Sequence, residues 1–251
     1  MYGSINRYVQ EKRLFYSRQD VSKNYDPLRF GGPSGEWVNH RELSIVTPLL
    51  PSRGKILDLG CGTGRLGLHL NNQGYEVVGL DSSAEMLAIA QSKLVGDAVT
   101  WVQADAFAMP LASPAFDAVV AMRLAFHFAD LLPLLASIVN VIKPGGTLVL
   151  DTYNWTPRSL VPLGRQTWGG RVYTHRPSRV ISEAKTLGLE VIKRIECFLF
   201  SPYVYRLLPL QIVRVLERLE SLTPNHLLAR VFWHLRLSNR ESLVASEAQK
   251  G

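Results

Sequence analysis

Asp58 stands two residues before the first glycine of a turn, Gly60-Cys61-Gly62-Thr63-Gly64, that ends an apolar run and opens a stretch carrying Leu66, Leu68 and Leu70. Glycine at alternate positions lets the backbone turn tightly and lets a ligand lie against it without interference from Cβ atoms. Gly62-x-Gly64-x-x-Gly67 also satisfies the dinucleotide fingerprint, so the glycines alone do not choose a ligand. Asp58 does. A helix N-terminus at such a turn suits a pyrophosphate, and a carboxylate beside it repels that charge. A ligand with an amine and a cationic centre, and no phosphate, is welcomed instead.

The elements that position these residues are legible as an alternation of strand and helix. The spacing predicts a first strand ending at the turn and a second over 75–80 that ends at Asp81, seventeen residues after Gly64. A carboxylate at that strand end can accept from both hydroxyls of a ribose. Ser82 and Glu85 are spaced as a capping box at the start of the next helix. A third strand over 99–103 leads to Asp105 and Ala106, where a carboxylate can accept from an adenine amino group. The run 116–122 reads as a buried strand, and 142–150 as a helix end, a turn and a fifth strand.

Taken together, these residues resemble the class I S-adenosylmethionine-dependent methyltransferases, especially those that methylate quinones and small molecules. The segments that carry the resemblance are LDLGCGTGR (57–65), VVGLDSSAEML (77–87), ADAFAMPL (104–111), FDAVVAM (116–122) and IKPGGTLVL (142–150), in that order. The resemblance implies a Rossmann-like, doubly wound α/β fold with a mostly parallel seven-stranded sheet, helices on both faces and a small helical cap. It implies S-adenosyl-L-methionine as cofactor. Asp58 with Gly60, Cys61, Gly62, Thr63 and Gly64 would hold the methionine part. Asp81, with Ser82 beside it, would hold the ribose, and Asp105 with Ala106 the adenine, whose face packs on Met86. Tyr25 and Arg29 are candidate contacts to the methionine carboxylate or the acceptor. Cys61 reads as a small filler, since nothing near it in sequence lowers its pKa.

Methyl transfer from a sulfonium asks the protein to align the acceptor, exclude water and sometimes remove a proton. In similar enzymes the segment after the fourth strand, here Arg123 to Phe128, faces the methyl group. It lacks the Asn/Asp-Pro-Pro-aromatic motif of enzymes that methylate exocyclic amines. His127 is the general-base candidate by position, with a packed histidine as the alternative, and His175 is a second candidate. Arg123 could anchor an acceptor carboxylate or phosphate, or serve in a structural ion pair. Tyr25 completes the catalytic set.

The 251 residues suffice for one domain with a modest cap. A lid and first helix are expected over 1–50, the cofactor core over 51–150, and acceptor-side elements over 151–180 and 201–240. Ile5, Tyr8, Val9 and Leu14 mark a lid helix. Residues 25–32 read as a hinge, 36–50 as the first long helix, and 203–222 as an amphipathic helix bent near Pro209. Residues 227–238 fit helix or strand, with strand slightly favoured. Two cysteines, Cys61 and Cys197, offer neither a disulfide framework nor metal-ligand spacing. No basic-then-apolar leader and no apolar run near 18 residues is present, which leads to the expectation of a cytoplasmic protein. Net charge is +7 for the chain; it is −2 over 51–150, then +4 over 151–200 and +3 over 201–251. That asymmetry fits an acidic acceptor, a nucleic acid or an anionic membrane surface. The leading reading is an oxygen or carbon methyltransferase acting on a small apolar or aromatic molecule. A nucleic-acid methyltransferase is favoured by basicity alone, with no binding module. A cofactor-binding protein of the same fold with other chemistry, or a regulatory role, is the third reading.

Overall fold

The computed structural model describes residues 10–94, 98–111, 114–154 and 172–239. Strands β1 (Lys55–Leu59), β2 (Glu76–Asp81), β3 (Val99–Gln103), β4 (Phe116–Ala121), β5 (Ile142–Asn154), β6 (Thr174–His175), β7 (Leu189–Cys197) and β8 (Arg230–Leu237) form one sheet. Its order is β3-β2-β1-β4-β5-β8-β7, with the two-residue β6 paired beside β5. That short strand makes eight where seven were expected. The strands β3 to β5 run parallel, and β8 is antiparallel to both β5 and β7. A sheet covered on both faces needs apolar side chains at every position of its central strands, hence Ile56-Leu57 and Ala118-Val119-Val120-Ala121.

β8 confirms the strand reading of 227–238. Val231, Trp233 and Leu235 pack on one side with α6 and α7 (Leu132–Val139 and Pro177–Thr186), while Phe232 joins the other. The buried Trp233 indole donates to Thr152 Oγ1 at 2.9 Å.

Around the sheet lie a helix over residues 10–16 (α1), α2 (Gln19–Phe30), α3 (Gly32–Val46), α4 (Arg65–Asn72), α5 (Ala84–Ser92), α8 (Pro202–Arg206) and α9 (Leu210–Glu220). Several expected boundaries move. The presumed hinge at 25–32 is mostly helix: α2 carries Pro27 internally and stops only at Gly31, where a Cβ would meet the Pro27 carbonyl oxygen at 2.4 Å. α3 begins at Gly32 rather than Glu36, with Pro33 in its first turn. The helix expected over 203–222 is broken rather than bent, because Pro209 takes an extended conformation and caps α9. β5 starts at Ile142, so Lys143 to Gly146 run in the strand. A register shift between Phe116 and Ala118 of β4 absorbs the irregularity. Leu14 is 71% exposed, so α1 turns a different face inward from the one its apolar spacing suggested. Ile5, Tyr8 and Val9 lie outside the described residues.

Behind the sheet's carboxyl end sits a buried charge cluster. Glu42 on α3 accepts from Arg65 Nη2 (2.9 Å), Arg123 Nη2 (2.7 Å) and Arg230 Nη1 (3.2 Å). Arg230 also pairs with Asp151, which accepts from the Arg123 backbone N–H at 2.5 Å. Arg65 and Arg123 lie 4.4 and 4.8 Å from the Phe30 ring centre. Burial pushes the Glu42 carboxyl up, but Arg123, Arg65 and Arg230 outweigh it and bring it down to about 2. Its contribution to stability is therefore complete above the ordinary value of 4.5 and lost as pH falls through about 2. Glu42→Gln should cost about 3–5 kcal/mol at neutral pH by stranding buried arginines. Urea unfolding across pH should show that deficit shrinking between those two pH values; a constant deficit would place the loss in packing.

Candidate active site

The cleft opens at the carboxyl ends of β1 to β4, where the strand order reverses between β1 and β4. Its floor is the β1–α4 turn. Gly60, Gly62 and Gly64 have φ of +72°, +54° and +77°, conformations that a side chain would strain. The Gly60 and Cys61 amides donate to the Leu80 carbonyl at 2.7 and 3.1 Å, which ties the turn to β2. Trp101 of β3 fills the space beneath: a Cβ on Gly64 would lie 2.7 Å from its ring. Above Gly62 a Cβ would meet nothing within 4 Å, so the turn presents bare backbone to the cleft.

Asp81 closes β2 and faces this floor. Its Oδ2 accepts from the Gly62 amide and its Oδ1 from the Ser83 amide, both at 2.9 Å. Burial raises its pKa against these amides. Ser82 lines the cleft, but the cap of α5 is Ser83, whose Oγ accepts from the Met86 amide at 3.1 Å. The expected Ser82–Glu85 box does not form: with Ser83 as cap, the third helical residue is Met86, which cannot reach back to the cap amide, and that amide is bonded by Asp81 instead. Met86, Asp105, Ala106 and Phe107 form the next wall. Asp105 makes an ion pair with Arg13 of α1 and accepts from the Phe107 amide.

Other expected contacts sit one layer back. Asp58, Cys61, Thr63 and Gly64 do not line the cleft. The Asp58 carboxyl lies under the turn beside Gly67; burial raises its pKa to about 7, and its Oδ2 has no hydrogen-bond partner among the described residues. Thr63 Oγ1 donates to Asp26 Oδ1 at 2.7 Å and, with Lys93, fastens α2 to the turn. Cys61 is buried, which pushes its thiol up and leaves it without thiolate character.

Toward the far end stand Tyr25, Arg123 and His127. Arg123 borders the cleft, but its guanidinium is bound to Glu42, so it serves the ion cluster. Its φ of +57° aims it there. Arg29 is buried behind Tyr25, stacked between that ring (5.4 Å) and Tyr203 of α8 (4.1 Å). His127 presents an Nδ1 that is buried and makes no hydrogen bond among the described residues. Its ring meets Tyr16 edge-on at 5.6 Å and Phe126 at 4.5 Å. Burial, then Lys12 and Arg29, hold its pKa well below the ordinary range. His175 is a packed residue bonded to the Ala125 carbonyl and lies outside the cleft.

The roof was not expected in this form. Lys12, Arg13 and Tyr16 of α1 all line the cleft, and the Tyr16 carbonyl accepts from Ser83 Oγ at 3.0 Å. Burial lowers the Lys12 ammonium to about 8, assisted by Arg29. Their spacing at i, i+1 and i+4 was the available signal. Of the acceptor-side elements expected over 151–180, residues 155–171 lie outside the described residues. The Tyr173 amide donates to the Phe126 carbonyl. Among the described residues no His, Cys, Asp and Glu group is arranged to hold a metal, and no helix is long and apolar enough to cross a membrane.

Residues 57–150 match the model of a methyltransferase domain. A demethylmenaquinone methyltransferase from Thermus thermophilus is 34% identical over 157 residues, covering 61% of this chain and 71% of that protein. This chain belongs to the class I S-adenosylmethionine-dependent methyltransferases. The putative methyltransferase YqeM of Bacillus subtilis is 33% identical over 141 residues, 54% of this chain and 55% of its own length. An S-adenosylmethionine-dependent methyltransferase from Mesorhizobium loti shares the fold at a TM-score of 0.61 and 20% identity, over 79% of this chain and 97% of that one. The cofactor of this methyltransferase is thus S-adenosylmethionine.

A histidine held neutral by burial contributes stability above its ordinary pKa of 6.5 that is lost as pH falls through its lowered folded value. His127→Gln should match the parent in thermal stability above pH 6.5 and be less acid-labile below it. Equal acid sensitivity of the two proteins would show that the imidazole protonates freely in the folded state.

Proposed function

We propose that this methyltransferase transfers its methyl group to an oxygen or carbon atom of a small, fairly apolar molecule. The observation that carries the reading is the far end of the cleft. Met122, Leu124, Phe128 and Tyr16 line the cleft together with His127, whose Nδ1 is without a hydrogen-bond partner among the described residues. Apolar walls around one placed polar atom are the ordinary form of a small-molecule site. The relative from Thermus thermophilus carries the name of an enzyme of demethylmenaquinone, which supports a ring-bearing acceptor.

The cofactor fits the remainder. The bare backbone over Gly62 accommodates the methionine part, the fixed Asp81 carboxylate has lone pairs left for ribose hydroxyls, and Met86 with Ala106 flanks an adenine. Arg65 and Arg123, both held on Glu42, set guanidinium groups behind the turn, where positive charge favours a methionine carboxylate. Bound there, S-adenosylmethionine supplies a methyl group on a sulfonium leaving group. The protein's part is then to exclude water beneath α1, to hold the acceptor on the aromatic wall and, at His127 Nδ1, to receive an acceptor proton.

Asp81→Ala should bind S-adenosylhomocysteine at least about tenfold more weakly in calorimetry, because charge-assisted bonds to the ribose are lost. Unchanged affinity removes Asp81 from the ribose site. Transfer of labelled methyl to a cell extract should place label in the organic fraction; label in RNA or protein would overturn the acceptor class. With an acceptor in hand, His127→Ala should lower turnover roughly 10²–10⁴-fold while cofactor affinity stays unchanged. A loss below about fivefold would return His127 to packing.

A further inference from the structure

α9 turns one side to the protein body and leaves an apolar stripe on the other. Val213 and Glu220 are buried, and both of its acids, Glu217 and Glu220, pair with Arg41 of α3. Ile212, Val215, Leu219 and Leu222 follow at three- and four-residue steps, which places them along one line of the helix and its exit turn. They are 46%, 49%, 43% and 79% exposed, and Leu207 just before the helix is 60% exposed. Contiguous exposed apolar residues of this kind mark an interaction surface. Next around the helix come Arg214 and Arg218, both exposed and neither ion-paired among the described residues.

We infer that α9 docks on an anionic lipid surface, its aliphatic stripe entering the interface while Arg214 and Arg218 meet lipid phosphates. Charge selects this occupant. Both acids of the helix are engaged by Arg41, so the outward side offers arginine without a compensating carboxylate. A second copy of the chain would set arginine against arginine. An aliphatic stripe beside a basic one is instead the pattern of helices that lie in a bilayer interface. The net charge of +7 adds attraction at longer range. A short run of contacts joins the docking surface to the cleft. α9 follows α8, whose Tyr203 packs on Arg29, and the other side of Arg29 faces Tyr25 in the cleft wall. A methyltransferase held this way would meet apolar acceptors dissolved in the membrane, although the docking itself does not depend on the acceptor's identity.

The test is cosedimentation of the full chain with vesicles of phosphatidylcholine alone and of phosphatidylcholine mixed with phosphatidylglycerol. Binding is expected to the mixed vesicles, to weaken with salt, and to be slight on phosphatidylcholine. Arg214→Ser with Arg218→Ser should weaken it roughly thirtyfold, the loss for two arginines near an anionic surface. Ile212→Ser, Val215→Ser and Leu219→Ser together should abolish it with thermal stability retained, since these side chains face outward. The inference is overturned if the parent does not bind mixed vesicles, or if both variants bind as the parent does. It is equally overturned if the parent is a lipid-free dimer that the serine variant converts to a monomer, which would assign the stripe to a second copy.

Discussion

Glu42 accepts hydrogen bonds from three arginines that arrive from separate parts of the chain: the first turn of α4, the loop after β4, and the start of β8. Arg230 carries the network on to Asp151 in β5. Five charged groups, four of them buried and Arg65 only slightly exposed, are costly to assemble, and a hydrophobic cluster of equal volume would often be as stable. What the ions add is directional dependence. Each guanidinium has a fixed fork of donors, so the helix layer, the cofactor turn and the antiparallel strand can meet in one relative position. Remove either carboxylate and the arginines it holds are left without their counter-charge.

That dependence reaches the cleft through Arg123. The residue sits where a strand gives way to the wall of the site, in a left-handed conformation that a non-glycine residue adopts only when its surroundings insist. Its side chain is held by Glu42 and its own amide by Asp151, so the following 3₁₀ turn, Ala125–His127, leaves the sheet along a set path. His127 therefore owes its place to a carboxylate on α3 that never touches the cleft. The β1–α4 turn is fixed in the same manner from below. Trp101 packs against both Gly64 and Gly79, positions at which a Cβ would fall 2.7 and 2.3 Å from the indole.

Much of this was legible in the chain, and the limits have physical causes. The parallel strands announce themselves as apolar runs, and the turn as glycines that positive φ requires, because both patterns arise from local backbone geometry. β8 was ambiguous because it is buried on both faces between β5 and β7; Val231, Trp233 and Leu235 alternate with polar neighbours, but the buried Phe232 breaks the pattern, so strand and helix periods both fit. The face of α1 was misread for the opposite reason. Its apolar Leu14 looks outward, while Lys12, Arg13 and Tyr16 look in. Their partners, Asp105 and the His127 ring among them, lie far along the sequence, and no local period reports such pairings. Arg123 and Glu42 are separated by 81 positions, so an arginine that looked available to a substrate is committed elsewhere.

The same long-range pairing sets the character of the roof. α1 is secured by the Arg13–Asp105 ion pair and by the bond from Ser83 to the Tyr16 carbonyl, both made to residues at the strand ends that border the cleft. Arg13 and Asp105 are each about one-third exposed, and an ion pair in that setting contributes little and weakens with salt. The floor, by contrast, is held by buried backbone hydrogen bonds from Gly60 and Cys61 to Leu80. Opening free energies follow such differences, because elements with few buried contacts and solvent-accessible bonds separate first. The floor is thus tied to the sheet by backbone hydrogen bonds, whereas the roof combines a partly exposed ion pair with the buried Lys12 and the Tyr16 ring set against Tyr25 and His127. A reaction that must admit a large cofactor and then exclude water depends on both: the floor sets where the cofactor lies, and the helix above it is what shuts the cleft from solvent.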